Sequence, residues 1–138
     1  MPLPIIACGS ANPRVFNAIQ PLYLPEYEIA YHIMSSDSGI ANIPFILQGQ
    51  TSSVNRLNED SSPPVAVCIG GIYTDEEIDA MHQACQGVSS VPWLRMDHTV
   101  PKPAVGPGYA EHVVKRIKDC MDKIKQEGKS DQDGIWFY

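Results

Sequence analysis

No stretch of the 138 residues is apolar for long enough to cross a bilayer. The N-terminus also lacks the charged start, apolar core and small-residue cleavage site of a secretory leader. Neither a membrane anchor nor secretion is expected, and the cytoplasm is the expected compartment. Basic residues are few, ten Lys and Arg against sixteen Asp and Glu, which gives a net charge of −6. Nucleic acid and anionic lipid are thereby disfavoured as main partners, because the Coulomb term opposes both. The basic residues of 115–129 alternate with acidic ones and read as a solvated helix face. Cys8, Cys68, Cys85 and Cys120 form no C-x-x-C pair, and the four histidines have no carboxylates at ligand spacing. Reduced, packed thiols are expected, and a metal site is not. No fixed-period repeat is present, which removes solenoids.

What is present is a repeated strand, loop and helix. Residues 63–87, PPVAVCIGGIYTDEEIDAMHQACQG, organise the chain. Val65–Ile69 is a continuous apolar run between Pro63-Pro64 and Gly70-Gly71, as suits a strand covered on both faces. Thr74 and Glu77 have capping-box spacing, Tyr73 can staple against Ile78, and Gly87 supplies the stop. Pro4–Gly9 reads as a first buried strand. Asn12 and Pro13 open a helix that buries Val15, Phe16 and Ile19 and stops at Pro21. Glu28–Met34 reads as the next strand, with His32 as an interior histidine. Residues 43–47 read as a short helix opened by Pro44 or as an extended segment, with the helix preferred.

Residues 51–64 form a long polar loop, either mobile or functional. Val91–Asp97 reads as a strand, and Pro92 near its start points to a sheet edge. The last helix runs over about 109–127. The sequence finishes Ile135-Trp136-Phe137-Tyr138, which either closes over its own sheet or docks on a second subunit. The whole predicts one domain over 1–138, a small doubly wound, Rossmann-like parallel sheet of four or five strands. Its layers are α/β/α, its crossovers right-handed, and its assembly a homodimer.

In such a sheet ligands collect at the carboxyl ends of the strands. That rule gathers Ser10, Asn12, Asp37, Gly70 and Gly71 as candidate substrate-binding residues, with Trp93 as a possible wall of an apolar pocket. Tyr73, Arg95, Asp97 and His98 are the candidate catalytic groups. Tyr73 can donate to a carbonyl, Asp97 and His98 supply acid–base groups, and Arg95 can pair with Asp97 or bind a carboxylate. The turn Cys8-Gly9-Ser10-Ala11-Asn12-Pro13-Arg14 keeps the first glycine of G-x-G-x-x-G. Ala11 stands where the second belongs and Arg14 where the third would be. A phosphate at that helix start is the minority reading. Ser10 lies outside any G-x-S-x-G context, so a hydrolase elbow is a weak match.

The stretch GGIYTDEEIDAMHQACQGVSSVPWLRMDHTVPKPAVGPGYAEHVVKRIK, roughly the second half of the chain, resembles small fungal proteins labelled Rossmann-like. That resemblance implies truncated relatives of dinucleotide-binding reductases, several of them associated with secondary metabolism. A Tyr-x-x-x-Lys pair of the short-chain reductase kind is absent. The expectation is a cofactor-independent isomerase, cyclase or lyase that acts on an apolar small molecule by pocket preorganisation. A diverged reductase using NADP is the alternative, and a non-catalytic small-molecule-binding or oligomerisation domain the second alternative.

Overall fold

The computed structural model describes residues 1–59, 61–104 and 106–138. They form β1 (Leu3–Cys8), α1 (Pro13–Ile19), β2 (Tyr27–Ile33), α2 (Ser36–Leu47), β3 (Val67–Ile69), α3 (Asp75–Ala84), β4 (Pro92–Arg95), α4 (Tyr109–Gln126) and β5 (Gly134–Phe137). A 3-10 turn, Gln20–Tyr23, follows α1 and contains Pro21. The sheet has five strands in the order β2-β1-β3-β4-β5, and every pairing is parallel. The expected α/β three-layer fold is the fold observed.

Strand alternation divides the core in two. Ile5, Ala7, Cys68 and Leu94 face one layer, where they meet Val113, Ile117, Met121 and Ile124 of α4 and the half-buried Phe16 and Ile19 of α1. Ile6, Cys8, Val67, Ile69 and Trp93 face the other, against Ile43 and Ile46 of α2 and Ile78 and Met81 of α3. The helices begin where the sequence places caps. Thr74 accepts from the Glu77 amide while the Glu77 carboxylate accepts from the Thr74 amide, and Ser35 caps α2 by accepting from the Ser38 amide. Tyr73 and Ile78 join the same core cluster, as a staple requires. All four cysteines are free and buried, and among the described residues no helix is long and apolar enough to cross a membrane.

Four expectations need correction. The segment 43–47 belongs to a longer helix, because Ser35 starts α2 eight residues before it and Pro44 is accommodated inside. In α1 no side chain is fully buried, and Val15 is exposed, since a seven-residue helix turns only one stripe to the sheet. Pro92 does not mark an edge: β4 lies between β3 and β5, and as its first residue Pro92 withholds a donor only where the ladder begins.

The crossovers do not all share one hand. From β1 to β2 the chain steps in one direction with α1 on the first face. From β2 to β3, and from β3 to β4, it steps the opposite way with α2 and α3 on the second face, so these three crossovers share the right-handed sense. The step from β4 to β5 continues in that second direction, yet α4 packs on the first face beside α1. This crossover has the opposite hand, and it leaves the second face of β5 without a helix. Ile135 and Phe137 are consequently exposed there, by 38% and 59%, while Trp136 and Tyr138 point into the core of the first face.

The approach of α2 to α3 depends on Gly39. A Cβ at that position would lie 2.3 Å from Met81 Sδ and 3.0 Å from Met81 Cγ, and Met81 is fully buried. Gly39→Ala should therefore destabilise the fold by about 1–3 kcal/mol through overpacking, against about 1 kcal/mol gained in helix propensity. In urea unfolding, the Gly39→Ala/Met81→Ala double variant should lose less than the sum of the singles. Simple additivity would show that this contact does not set the helix spacing.

Candidate small-molecule site

The strand order reverses direction between β1 and β3, where a doubly wound sheet ordinarily opens a ligand crevice. In this chain that crevice is bridged. The Gly70 amide donates to Cys8 O at 2.8 Å. The Tyr73 hydroxyl lies 3.1 Å from both Gly9 O and Ile33 O, so one phenol ties the ends of β1 and β2. Burial pushes its pKa up, with Cys8 and Glu77 adding to the shift, and the phenol stays a donor. The turn is tightly packed: a Cβ on Gly70 would lie 3.2 Å from Cys8 O, and one on Gly71 2.7 Å from Met96 Sδ, so either substitution would require a neighbour to shift.

The residues singled out in the sequence fall around this rim. Ser10 Oγ accepts from the Asn12 amide and Asn12 Oδ1 from the Arg14 amide, so both shape the β1–α1 turn. Asp37 is exposed in the first turn of α2. Gly70 and Gly71 follow β3, with exposed His98 3.4 Å from where a Gly71 Cβ would be, whereas Tyr73 turns to β1 and β2 and Asp97 donates its amide to Tyr138 O. Asp97 accepts from the Thr99 hydroxyl at 2.6 Å and amide at 3.0 Å, and these bonds hold its carboxyl below the usual range. Arg95 pairs with Asp75 at the start of α3, not with Asp97. Trp93 is fully buried in the core, and its indole donates to Ser89 Oγ.

A pocket opens one strand further out, over the carboxyl end of β2. Its volume is about 500 Å³, and its walls are Phe16 and Asn17 of α1, His32 and Met34, Ser38 of α2, and the loop segment 53–57. The wall is mostly apolar, as small-molecule sites are. His32 stacks on Phe16 with ring centroids 4.3 Å apart, and no side-chain or backbone hydrogen bond engages its imidazole among the described residues. Burial against this apolar wall lowers its pKa, so the ring is neutral at neutral pH. His32 is thus a half-buried proton acceptor or donor on an apolar wall, and the sequence reading as an interior histidine missed it. Its place near the end of a strand beside a long polar loop is the signal that could have found it.

Asn42, the one buried polar side chain of the described core, holds the loop in place. Its Oδ1 accepts from the Ser53 amide at 2.9 Å and from Ser53 Oγ at 2.8 Å, and its Nδ2 donates to Ser38 O at 2.8 Å. Further along, the Leu57 amide donates to Ala30 O at 2.7 Å, at the irregularity in β2, and Arg56 lies over the Tyr31 ring. The loop is therefore a pinned wall.

A dinucleotide pyrophosphate does not fit the β1–α1 turn. Pro13 has no amide proton to give, Asn12 occupies the Arg14 amide, and α1 is only seven residues long. Among the described residues no group of three His, Cys, Asp or Glu could hold a metal ion.

The chain is 32% identical over 139 aligned positions to the Aspergillus oryzae protein named "Kojic acid related protein 6", with 98% of this chain and 86% of that protein covered. No family model matches the chain, and no solved structure matches it.

Two outcomes follow from this geometry. Asn42→Ala leaves the Ser53 amide without its acceptor and should cost about 1–3 kcal/mol, with faster amide exchange confined to 53–57. Unchanged exchange there would show that Asn42 does not hold the wall. Because the pKa of His32 is lower folded than unfolded, the unfolded chain binds the extra proton first. The contribution is complete above the unfolded value of about 6.5 and is lost as pH falls below it. Wild type should therefore lose stability relative to His32→Phe between pH 8 and pH 5, as read from urea midpoints. A pH-independent difference would place the imidazole in water.

Proposed function

The chain belongs to the family of the Aspergillus oryzae kojic acid related protein 6, and from that premise we propose that it is a cofactor-independent enzyme of secondary metabolism acting on a compact, largely apolar molecule in the β2-edge pocket. The observation that carries this reading is His32, a neutral, unengaged imidazole on an apolar wall of a cavity of about 500 Å³. Such a group can take a proton from an acidic C–H or O–H beside a carbonyl and return it to another atom of the same molecule, which is an isomerisation. If the electron pair instead expels a β-substituent, the same first step becomes a lyase reaction. Phe16 stacks on the ring, Met34 and Leu57 supply apolar wall, and the exposed Asn17 and Asn55 can orient a polar end of the substrate. A hydrolase is less well supported. Ser38 Oγ accepts from Asn42 Nδ2 at 3.3 Å and has no hydrogen bond to His32 among the described contacts.

A diverged NADP-binding reductase is the weaker alternative, since the donors a pyrophosphate would use are spent or missing in the β1–α1 turn. The third reading is a binding protein with the same pocket and no turnover. The relative's name makes kojic acid the first ligand to try.

The deciding experiment is ligand-induced thermal stabilisation of wild type and His32→Phe with kojic acid, a fungal metabolite extract, NADP and NADPH. A saturable shift with kojic acid or the extract, reduced at least fivefold in affinity in His32→Phe, is the expected result. A shift with NADP or NADPH alone would overturn it. Conversion of the bound compound by wild type and not by the variant would separate enzyme from binding protein.

A further inference from the structure

The two edges of the sheet are finished differently. The edge of β2 is covered by the 51–58 loop, through the Leu57 amide on Ala30 O and Arg56 over Tyr31. The edge of β5 has no such cover among the described residues. Tyr138 directs its amide to Arg95 O and its carbonyl oxygen to the Asp97 amide, both toward β4. By strand alternation, Ile135 and Phe137 turn their amides and carbonyls outward. This strand is short, but it has no charge and no proline, and its outward-facing residues carry exposed apolar side chains, so the charged and proline protections of an edge are absent from it.

We propose that β5 pairs antiparallel with β5 of a second copy of this chain across a two-fold axis through Trp136, making one ten-stranded sheet. In that register Ile135 of one copy opposes Phe137 of the other. These are the residues whose backbone groups face outward, so each pair exchanges two hydrogen bonds. Their side chains share the face that the reversed crossover leaves open, where Ile135 packs against Phe137 across the strands. On the opposite face the same axis sets the charges. Helix α4 runs antiparallel to β5: Arg116 Nη2 donates to Tyr138 O, Cys120 Sγ lies 3.9 Å from Phe137 O, and Lys123 lines the groove with Ile135. Asp119 is therefore level with Phe137, and Lys123 with Ile135. The two-fold that opposes Ile135 to Phe137 also opposes Lys123 of one copy to Asp119 of the other, twice. Asp119, which Lys115 of its own chain already contacts at 2.9 Å, and Lys123 are thus complementary across the axis, which selects a second copy over an unrelated strand.

The test is light-scattering mass across a dilution series of the whole chain. Wild type should have twice the 15.2 kDa of one chain. Asp119→Lys should shift at least tenfold toward the single-chain mass with an unchanged far-ultraviolet spectrum, and Asp119→Lys/Lys123→Asp should regain the double mass. A wild type of single-chain mass, an Asp119→Lys chain that stays paired, or a double variant that fails to recover would each overturn the proposal.

Discussion

The carbonyl ends of the strands are the constraint on which the rest of this structure depends. A parallel sheet whose strands diverge at their carboxyl ends leaves acceptors without ladder partners, and buried acceptors must find donors. Two phenols serve here. Tyr73 reaches Gly9 O and Ile33 O from the start of α3, and Tyr138 reaches Ile69 O at 2.6 Å from the end of β5. Each comes from a distant part of the chain, and together they join the ends of β1, β2 and β3. Burial raises both pKa values, so both remain donors over the physiological range. The cost of this arrangement is the ligand crevice between β1 and β3, which is filled with protein. The apolar pocket lies beyond β2 instead.

Local structure was legible in the sequence wherever one residue type has one physical use. The Thr74–Glu77 capping box, the Asn12–Pro13 helix entry and the apolar run ending at Ile69 each led to the observed element. The hand of the last crossover was not legible. The apolar stripe of α4 is equally suited to either face of the sheet, and only the place left beside α1 decides it. The site was hidden for a related reason. Tyr73 follows the end of β3, but its hydroxyl is engaged by two carbonyls that come from other strands. Arg95 has the strand parity of Asp97 yet meets Asp75, because α3 starts directly over that face. His32 reads as an interior residue because the 51–58 loop, which turns its surroundings into a pocket, is pinned by Asn42, eleven residues from Ser53.

Electrostatics then separates what the pocket can do from what the fold usually does. A phosphate site would want positive charge and open amides. This chain carries a net charge of −6, its first helix is short and capped by its own asparagine, and Arg95 and Arg116 are held by Asp75 and by Tyr138 O. The β2-edge pocket instead presents one titratable group, kept neutral by an apolar wall. A neutral base needs no counter-charge and loses little on being buried, whereas a charged group there would carry a large desolvation cost. The chemistry open to such a site is movement of a proton within a bound molecule, where substrate and product carry the same net charge. Under the proposed function, that requirement favours isomerisation over phosphoryl or hydride transfer, with His32 as the group that moves the proton.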